Sequence, residues 1–520
     1  MKRKSKLYIL GLITVFAFSC TDLQEDPVGL LAPEGYFRTE KEVQTAINGC
    51  YGSMASSLYY GNGLTTHLQI MSDMVDLGLN FSNYADFATF IHTPTNTFPR
   101  DLWGCSYGII GIANTAVYGV TQIDETQAVK NRLEAEARFV RAFVYYHLVQ
   151  LFGQIPYLDN VDIVIADVKK SSVSDVYAGI ISDLEFAKEH LPMQHPNGDV
   201  RTRPSKGTAA TVLASVNLTR GNWQAAYDNA KWVIDNKSTL NYELEPDFQN
   251  LFRAETQDKS KEYIFAVDFK GNIYGGSGVN AFTLENDHTL GAFNSVDGAA
   301  KPYRGWSMLV PSLKVYLTWD DKDYRKKVSL TDSIKTTDNI IHPYTHSLWK
   351  IKRPHAAKFE RFSGVMKSET AGWRSDMNYV CFRYAEVLLI AAEAGNEIGK
   401  TSEAVGYVNQ VRARARAGGV INWAGGGYGS YGPSESPANV STGISKDDFR
   451  NLVLDDRRLE LAFEFKRWYD IVRRDLGDQV FGPNGLETQP NFNKSKHYLI
   501  PIPQTEMDIH PSLAPQNSGY

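Results

Sequence analysis

Cysteine is scarce in this chain: Cys20, Cys50, Cys105 and Cys381 are scattered over 520 residues. No C-x-x-C spacing is present to hold a metal, and once Cys20 is set apart the odd number left cannot all pair. The plainest reading of the other three is buried, inert thiol. Long apolar runs are lacking too: the stretch from Leu7 to Phe18 has twelve residues, whereas a membrane-spanning helix needs about 20. Positive charge is not in excess, since 54 Lys and Arg against 59 Asp and Glu leave a net charge of −5. That balance argues against nucleic acid or anionic lipid as a partner, because both require a basic patch. Metalloprotease, nucleophile-elbow, phosphate-loop and dinucleotide signatures are missing. His342 and His346 are separated by Pro343, which opposes a helical metal-binding pair, and Asn286-Asp287-His288 reads as a turn. No metal and no cofactor is expected.

What is present starts with Lys2, Arg3, Lys4 and Lys6 ahead of the apolar run. Ala17-Phe18-Ser19 then places small residues before Cys20, and the chain turns polar at once with Thr21, Asp22, Gln24, Glu25 and Asp26. This is the layout of a bacterial lipoprotein signal, departing from the usual pattern in carrying Ala17 rather than Leu three residues before the cysteine. The expectation is that residues 1–19 are removed, that Cys20 carries lipid and that residues 20–30 form a tether. Residues 1–19 hold four positive and no negative side chains, so the mature chain has a net charge of −9.

Four segments have helical periodicity. From Asn131 to Phe152, apolar residues recur at Leu133, Ala137, Val140, Val144, Leu148 and Leu151, and Phe139, Phe143 and Tyr146 line a second face, which predicts a helix surrounded by others. Gly153 and Pro156 end it. Lys206–Leu218 and Trp223–Ile234 read as a helical hairpin turning at Thr219-Arg220-Gly221, with Gly221, Trp223 and Ala226 placed as in a tetratricopeptide repeat. A second hairpin pairs Tyr384–Glu397 with Ser402–Arg416 around Gly399. The last helix is predicted to start after an N-cap at Ser445, with Asp448 completing a capping-box pattern, and to continue through Leu459, Phe463, Trp468 and Ile471 to Arg474. Its Arg457, Arg458, Glu460, Glu464 and Arg467 read as ion-pairing and packing residues on a polar helix side rather than as a catalytic cluster.

Between the helices lie glycine-rich, irregular stretches. Residues 271–310 scatter Tyr274, Phe282, Phe293, Tyr303 and Trp306 among Asn, Asp and Ser; residues 336–376 are similar; and Ala424 to Pro433 is a mobile loop by composition. Only Glu262–Phe269, with alternating Tyr263, Phe265 and Val267, reads as a strand. Long insertions on a rigid scaffold are where binding surfaces are built.

Five motifs resemble the SusD/RagB family of outer-membrane nutrient-binding lipoproteins of Bacteroidota. They are Glu134-AEARFVRAFVYYHLVQLFGQIPY, Arg201-TRPSKGTAA, Phe382-RYAEVLLIAAEA, Leu454-DDRRLELAFEFKRWYDIVRR and Tyr498-LIPIPQTEMDIHPSLAPQNSGY. The resemblance implies a mostly α fold, a TPR-like helical-hairpin scaffold whose long irregular loop insertions carry the ligand face. It implies one domain over residues 31–520, with an N-terminal part of about 31–235 and a C-terminal part of about 262–520. It further implies a lipid-anchored protein at the cell surface, without catalysis, that lies as a lid over a SusC-like TonB-dependent transporter and captures oligosaccharides or, in some members, peptides. Asp22, Glu25 and Asp26 are similar to the phylum's surface-export signal. A helical glycoside hydrolase with paired carboxylates is the remote alternative.

A neutral sugar presents hydroxyls and an apolar C–H face, so its site needs exposed aromatic plates rimmed by amide, carboxylate or guanidinium groups. Two stretches have that composition: Asn80-Phe-Ser-Asn-Tyr-Ala-Asp-Phe, expected to be a loop, and Lys301-Pro-Tyr-Arg-Gly-Trp. The candidate ligand contacts are Asn83, Tyr84, Tyr303, Arg304 and Trp306, with Trp373 as an outlier; for each the alternative is a packing aromatic or loop residue. Trp103 stays on the list although it, Tyr107 and Asn114 resemble a helix start of the family in which a packing role is favoured.

Overall fold

Helix α1 (Glu40–Met54) begins where Thr39 stands extended and the Glu42 carboxylate accepts the Thr39 and Arg38 N–H groups at 2.8 and 2.7 Å, a capping box. It opens a computed structural model that describes residues 33–78, 82–163, 168–195, 201–269, 309–335, 340–347, 349, 351–359, 376–421 and 429–520. Eight further helices of thirteen or more residues follow among these: α2 (Thr97–Gln122), α3 (Gln127–Phe152), α4 (Val173–His190), α5 (Lys206–Thr219), α6 (Trp223–Asp235), α7 (Tyr384–Glu397), α8 (Thr401–Ala417) and α9 (Lys446–Glu460). From α1 to α8 each packs on the next in chain order, and α9 lies against α7. Two hairpins distant in sequence, α5–α6 and α7–α8, therefore stack through α6 and α7 into one continuous array, consistent with the TPR-like arrangement that the hairpin motifs imply.

The periodic segment from Asn131 belongs to a helix that starts four residues earlier, because Thr126 caps it by accepting the Val129 N–H at 3.4 Å. Its second face is buried as expected: Phe139 and Phe143 pack edge-on against Phe265, and the Tyr146 hydroxyl bonds Ser215 and Thr219 of α5. At the hairpin turns Gly221 has φ +70° and Gly399 φ +83°. A Cβ would meet no atom within 3.4 Å at either, so it is the left-handed backbone, not crowding, that selects glycine.

The last helix is not continuous. Ser445 accepts the Asp448 N–H at 3.1 Å and donates to its carboxylate at 2.6 Å, but α9 stops at Glu460, and a separate helix, Arg467–Arg473, follows a turn in which Phe463 and Phe465 hold φ of 61° and 60°. The carbonyls of Glu460 and Ala462 accept from Lys358 Nζ at 3.0 and 2.8 Å instead of continuing the helical ladder.

Strands are short and pair two by two among the described residues. Strand β1 (Val75–Leu77) pairs with β3 (Leu309–Pro311), and β2 (Tyr263–Val267) with β4 (Tyr379–Arg383). All five β2 residues are buried, so both faces of its alternating pattern are covered. In the glycine-rich stretch, Gly429–Tyr431 is a strand paired with Gly419–Ile421 rather than loose loop; residues 422–428 lie outside the described chain. Cys50 and Cys381 are free and buried, which pushes both thiols up to about 12.

Charges in the second half of α9 face inward: Asp456, Arg457, Arg458 and Glu460 are buried. Arg383, 1% exposed, donates to Glu464 (2.8 and 2.9 Å), Glu262 (2.7 Å) and Glu460 (2.5 Å). Arg414 pairs with Glu262 and Glu460, Arg325 with Asp323, Asp456 and Glu460, and Lys358 with Glu464. Burial opposes ionisation of Glu460, but Arg414, Arg383 and Arg325 outweigh it and hold its carboxyl below the ordinary range. Burial lowers Lys358 to about 8 against the pull of Glu464.

Glu460→Gln leaves these guanidiniums short of a counter-charge and is expected to cost about 3–5 kcal/mol in urea unfolding at pH 7. Asp447→Asn, which removes the exposed partner of Arg450, is expected to stay within about 0.5 kcal/mol of the parent. A second test uses pH. Burial lowers His67, His92 and His147 to about 3 and His355 and His497 to about 4. In the unfolded chain these rings protonate near pH 6.5, so the unfolded state binds more protons below that pH. Their contribution is therefore complete above pH 6.5 and is lost as pH falls toward 4. Unfolding midpoints at pH 7, 6 and 5 should fall accordingly, and His67→Gln should make the slope shallower by one ring; a slope unchanged by that substitution would show the ring to be charged in the native state.

Candidate functional site

The short ladder of β1 and β3 organises the candidate face. Antiparallel register sets Val75 against Pro311, Asp76 against Val310 and Leu77 against Leu309. Leu77 leads toward the stretch with Asn83 and Tyr84, and Leu309 follows the stretch with Tyr303, Arg304 and Trp306. The two candidate stretches are thus rooted on paired residues at one end of one ladder, although more than 200 positions separate them in the chain. Tyr303, Arg304, Trp306 and Trp373 themselves lie outside the described residues. The far root of residues 270–308 is held as well: the Phe269 N–H donates to Asn378 Oδ1 at 2.8 Å, and Val267 is paired with Tyr379, just after residues 360–375.

Asn83 and Tyr84 sit on a short helix, Ser82–Ala88, and not on the loop their composition implied. Phe87 explains the difference: it is fully buried, stacking on His92 at 4.2 Å and packing edge-on against His67 and Phe98, which anchors one side of the turn. Tyr84 is half-buried on the same element. Its hydroxyl donates to Asn62 Oδ1 at 3.1 Å, and its ring lies 5.4 Å from His67, itself stacked on Phe98 at 3.5 Å. A tyrosine fixed at both ends of its ring loses little freedom on binding.

Charges stand beside the ladder. Asp76 accepts its neighbour's Leu77 N–H at 2.8 Å and pairs with Arg353 Nη1 at 3.0 Å, both side chains about one-third exposed at 33% and 32%. Burial raises Glu487 and Asp76 adds to the shift. Beyond β3, Tyr316 donates to Asp332 at 2.7 Å and meets the Tyr344 ring edge-on at 5.8 Å. His342 and His346 are not helical, yet the turn after the strand Ile341–Pro343 brings their rings within 4.5 Å.

Trp103 does not belong with these residues. It lies in the first turns of α2, is 4% exposed, and packs on Tyr107 at 5.0 Å and Phe152 at 5.1 Å, so neither ring face is open to a ligand. Tyr107 donates to Pro156 O at 2.7 Å, and Asn114 donates to the carbonyls of Leu158 and Asn160 at 3.0 Å each, which pins the chain after α3. Asp76, Arg353 and Asn62 were not singled out in the sequence. Asn62 was accessible by the same composition rule as Tyr84, standing in Tyr59-Tyr-Gly-Asn-Gly; Asp76 and Arg353 carry no local signal, because only β1–β3 pairing defines their place.

The densest carboxylate group, Glu262, Glu460 and Glu464, is at most 3% exposed and saturated by arginine and lysine. A cavity of about 40 Å³ under Tyr60, His147 and Tyr469 is far too small for a sugar ring.

Two family models match, SusD family over residues 248–520 and "Starch-binding associating with outer membrane" over residues 33–218. The chain is 42% identical to SusD-like protein P2 of Formosa agariphila over the whole of both chains. A crystal structure of a SusD homolog from Bacteroides thetaiotaomicron superposes with a TM-score of 0.77 at 22% identity, covering 94% of this chain and 98% of that one. A structure described as a laminarin-binding SusD-like protein gives 0.72 at 22% identity, covering 93% and 100%. With matching models along both halves and a relative of this identity over its full length, the chain belongs to the SusD family.

Proposed function

We propose that this protein is a cell-surface glycan-binding lipoprotein, held in the outer membrane through lipid on Cys20, that captures oligosaccharide for import through a SusC-like TonB-dependent transporter. The observation that carries the reading is the β1–β3 register, which roots the Asn83–Tyr84 and Tyr303–Trp306 stretches on opposed residues. Tyr84, with Asp76 and Arg353 beside the ladder, and the aromatic and arginine side chains in the sequence of the second stretch are the residue types that a neutral sugar requires. Support for the class comes from the laminarin-binding neighbour and from another neighbour, at a TM-score of 0.74, described as surface glycan-binding protein A of Bacteroides thetaiotaomicron. Support for the location comes from the lipobox-like sequence before Cys20. Among the described residues no helix is long and apolar enough to cross a membrane.

A panel of polysaccharides and of oligopeptides, tested by calorimetry against the same protein, should give binding with the glycan class only, in the micromolar range or about −8 kcal/mol. Peptide binding in place of glycan binding would reassign the cargo. Trp306→Ala should abolish glycan binding with thermal unfolding unchanged, whereas Tyr84→Ala should abolish it at a stability cost of about 1 kcal/mol, since its ring and hydroxyl are half-built into the scaffold. Oligosaccharide release in excess of protein during incubation would overturn the non-catalytic reading. Cys20→Ala should retain binding in solution and fail to support uptake by cells; retained uptake would remove the lipid from the mechanism.

A further inference from the structure

A groove of about 260 Å³ shares no lining residue with the β1–β3 ladder. Asn48, Tyr51 and Gly52 of α1 form one wall, Thr202 and Arg203 ahead of α5 form another, and Asp268 stands just past the end of β2. Arg203 is fixed from three sides. Its Nε pairs with Glu136 at 2.9 Å, its Nη1 donates to Asn48 Oδ1 at 2.7 Å, and its guanidinium lies 4.9 Å over the Tyr51 ring. Tyr51 in turn donates to the same Glu136 at 2.8 Å. Five N–H groups belong to a guanidinium; these contacts use two, and the others have no partner among the described residues. A preorganised donor thus faces a cavity.

Gly52 sharpens the picture. Glycine in a helix interior is disfavoured relative to alanine, and something usually requires it, either a left-handed backbone or a close neighbour. Neither applies here: φ is not left-handed, and an added Cβ would meet nothing within 4 Å. What the missing side chain does is keep the α1 wall of the groove low.

The chemistry of the occupant follows from charge and size. Glu136 already balances Arg203, so an anion is disfavoured. The unused donors call for oxygen acceptors. The volume falls just under the roughly 300–1,000 Å³ of pockets for drug-sized ligands, which leaves room for one ring. We propose that this groove is a second, weaker carbohydrate contact that takes a single neutral sugar unit, its hydroxyls accepting from Arg203 and Asn48. It rests on the glycan-binding reading above and extends it: two contacts on one polymer raise apparent affinity through effective concentration without a new strong site.

The test uses the full mature chain carrying Trp306→Ala, which disables the first site, and saturation-transfer NMR with glucose, galactose, mannose, xylose, rhamnose and fucose as probes. At least one sugar should give a signal. Gly52→Leu, which fills the groove, should reduce that signal several-fold with the unfolding midpoint unchanged or raised, and Gly52→Ala, the milder variant, should reduce it in part. In the chain with Trp306 intact, Gly52→Leu should weaken a polysaccharide several-fold and leave a short oligosaccharide unaffected. No signal from any of the six sugars in the Trp306→Ala chain, or a signal indifferent to both Gly52 variants, overturns the proposal. Displacement of the signal by sulfate would do the same by showing an anion site. The outcomes separate from those of the main reading, because a protein that binds no polysaccharide can still show or lack the groove signal.

Discussion

A buried knot of arginine, lysine and carboxylate on the inner side of α9 is the constraint on which the rest of this fold depends. Arg383 reaches three glutamates from three places in the chain, Glu262 ahead of β2, Glu460 at the end of α9 and Glu464 in the turn beyond. None of these charges tolerates burial alone, since an ion without its partner in low dielectric costs several kcal/mol. Together they fix how β2, β4, α8 and α9 meet, and an apolar core could fill that space without specifying the same register.

The knot also explains how irregular chain is carried on a helical array. Lys358 draws the carbonyls of Glu460 and Ala462 out of the helix, and the resulting turn places Phe465 against Phe359 at 6.3 Å and Tyr379 at 5.5 Å. Phe359 and Tyr379 flank residues 360–375. The ion knot thereby sets the roots of a long insertion, while the β1–β3 ladder does so for the two stretches with candidate ligand aromatics. The scaffold is common to a family, and the candidate ligand stretches are attached to it at these roots.

Much of the scaffold was legible in the sequence because it obeys one period at a time. The hairpins at Gly221 and Gly399 and the helix from Asn131 follow directly from apolar spacing and glycine placement. The break after Glu460 was not, because Leu459 and Phe463 are four apart and continue the helical period; Lys358 and Arg383, both far upstream, take the Glu460 carbonyl from the helical ladder. Tyr84 and Trp103 show the same limit at the candidate site. Both are aromatics near polar residues, and what separates them is whether a neighbouring helix covers the ring, which Phe152 does for Trp103. The β1–β3 ladder was invisible, since three-residue strands are too short to display alternation.

The pairing of Arg467 with Asp73 at 2.8 Å, and of His147 with Tyr469 at 2.6 Å, joins the first third of the chain to its last. During synthesis, Asp73 therefore waits for Arg467, while Arg383 and Arg414, for which Glu262 is already present, remain short of the carboxylates that emerge only with Glu460 and Glu464. Until then the growing polypeptide has unmatched charges at positions that the finished fold encloses, and premature closure is disfavoured. The fold therefore completes late: the signal to close is written at the far end of the thread.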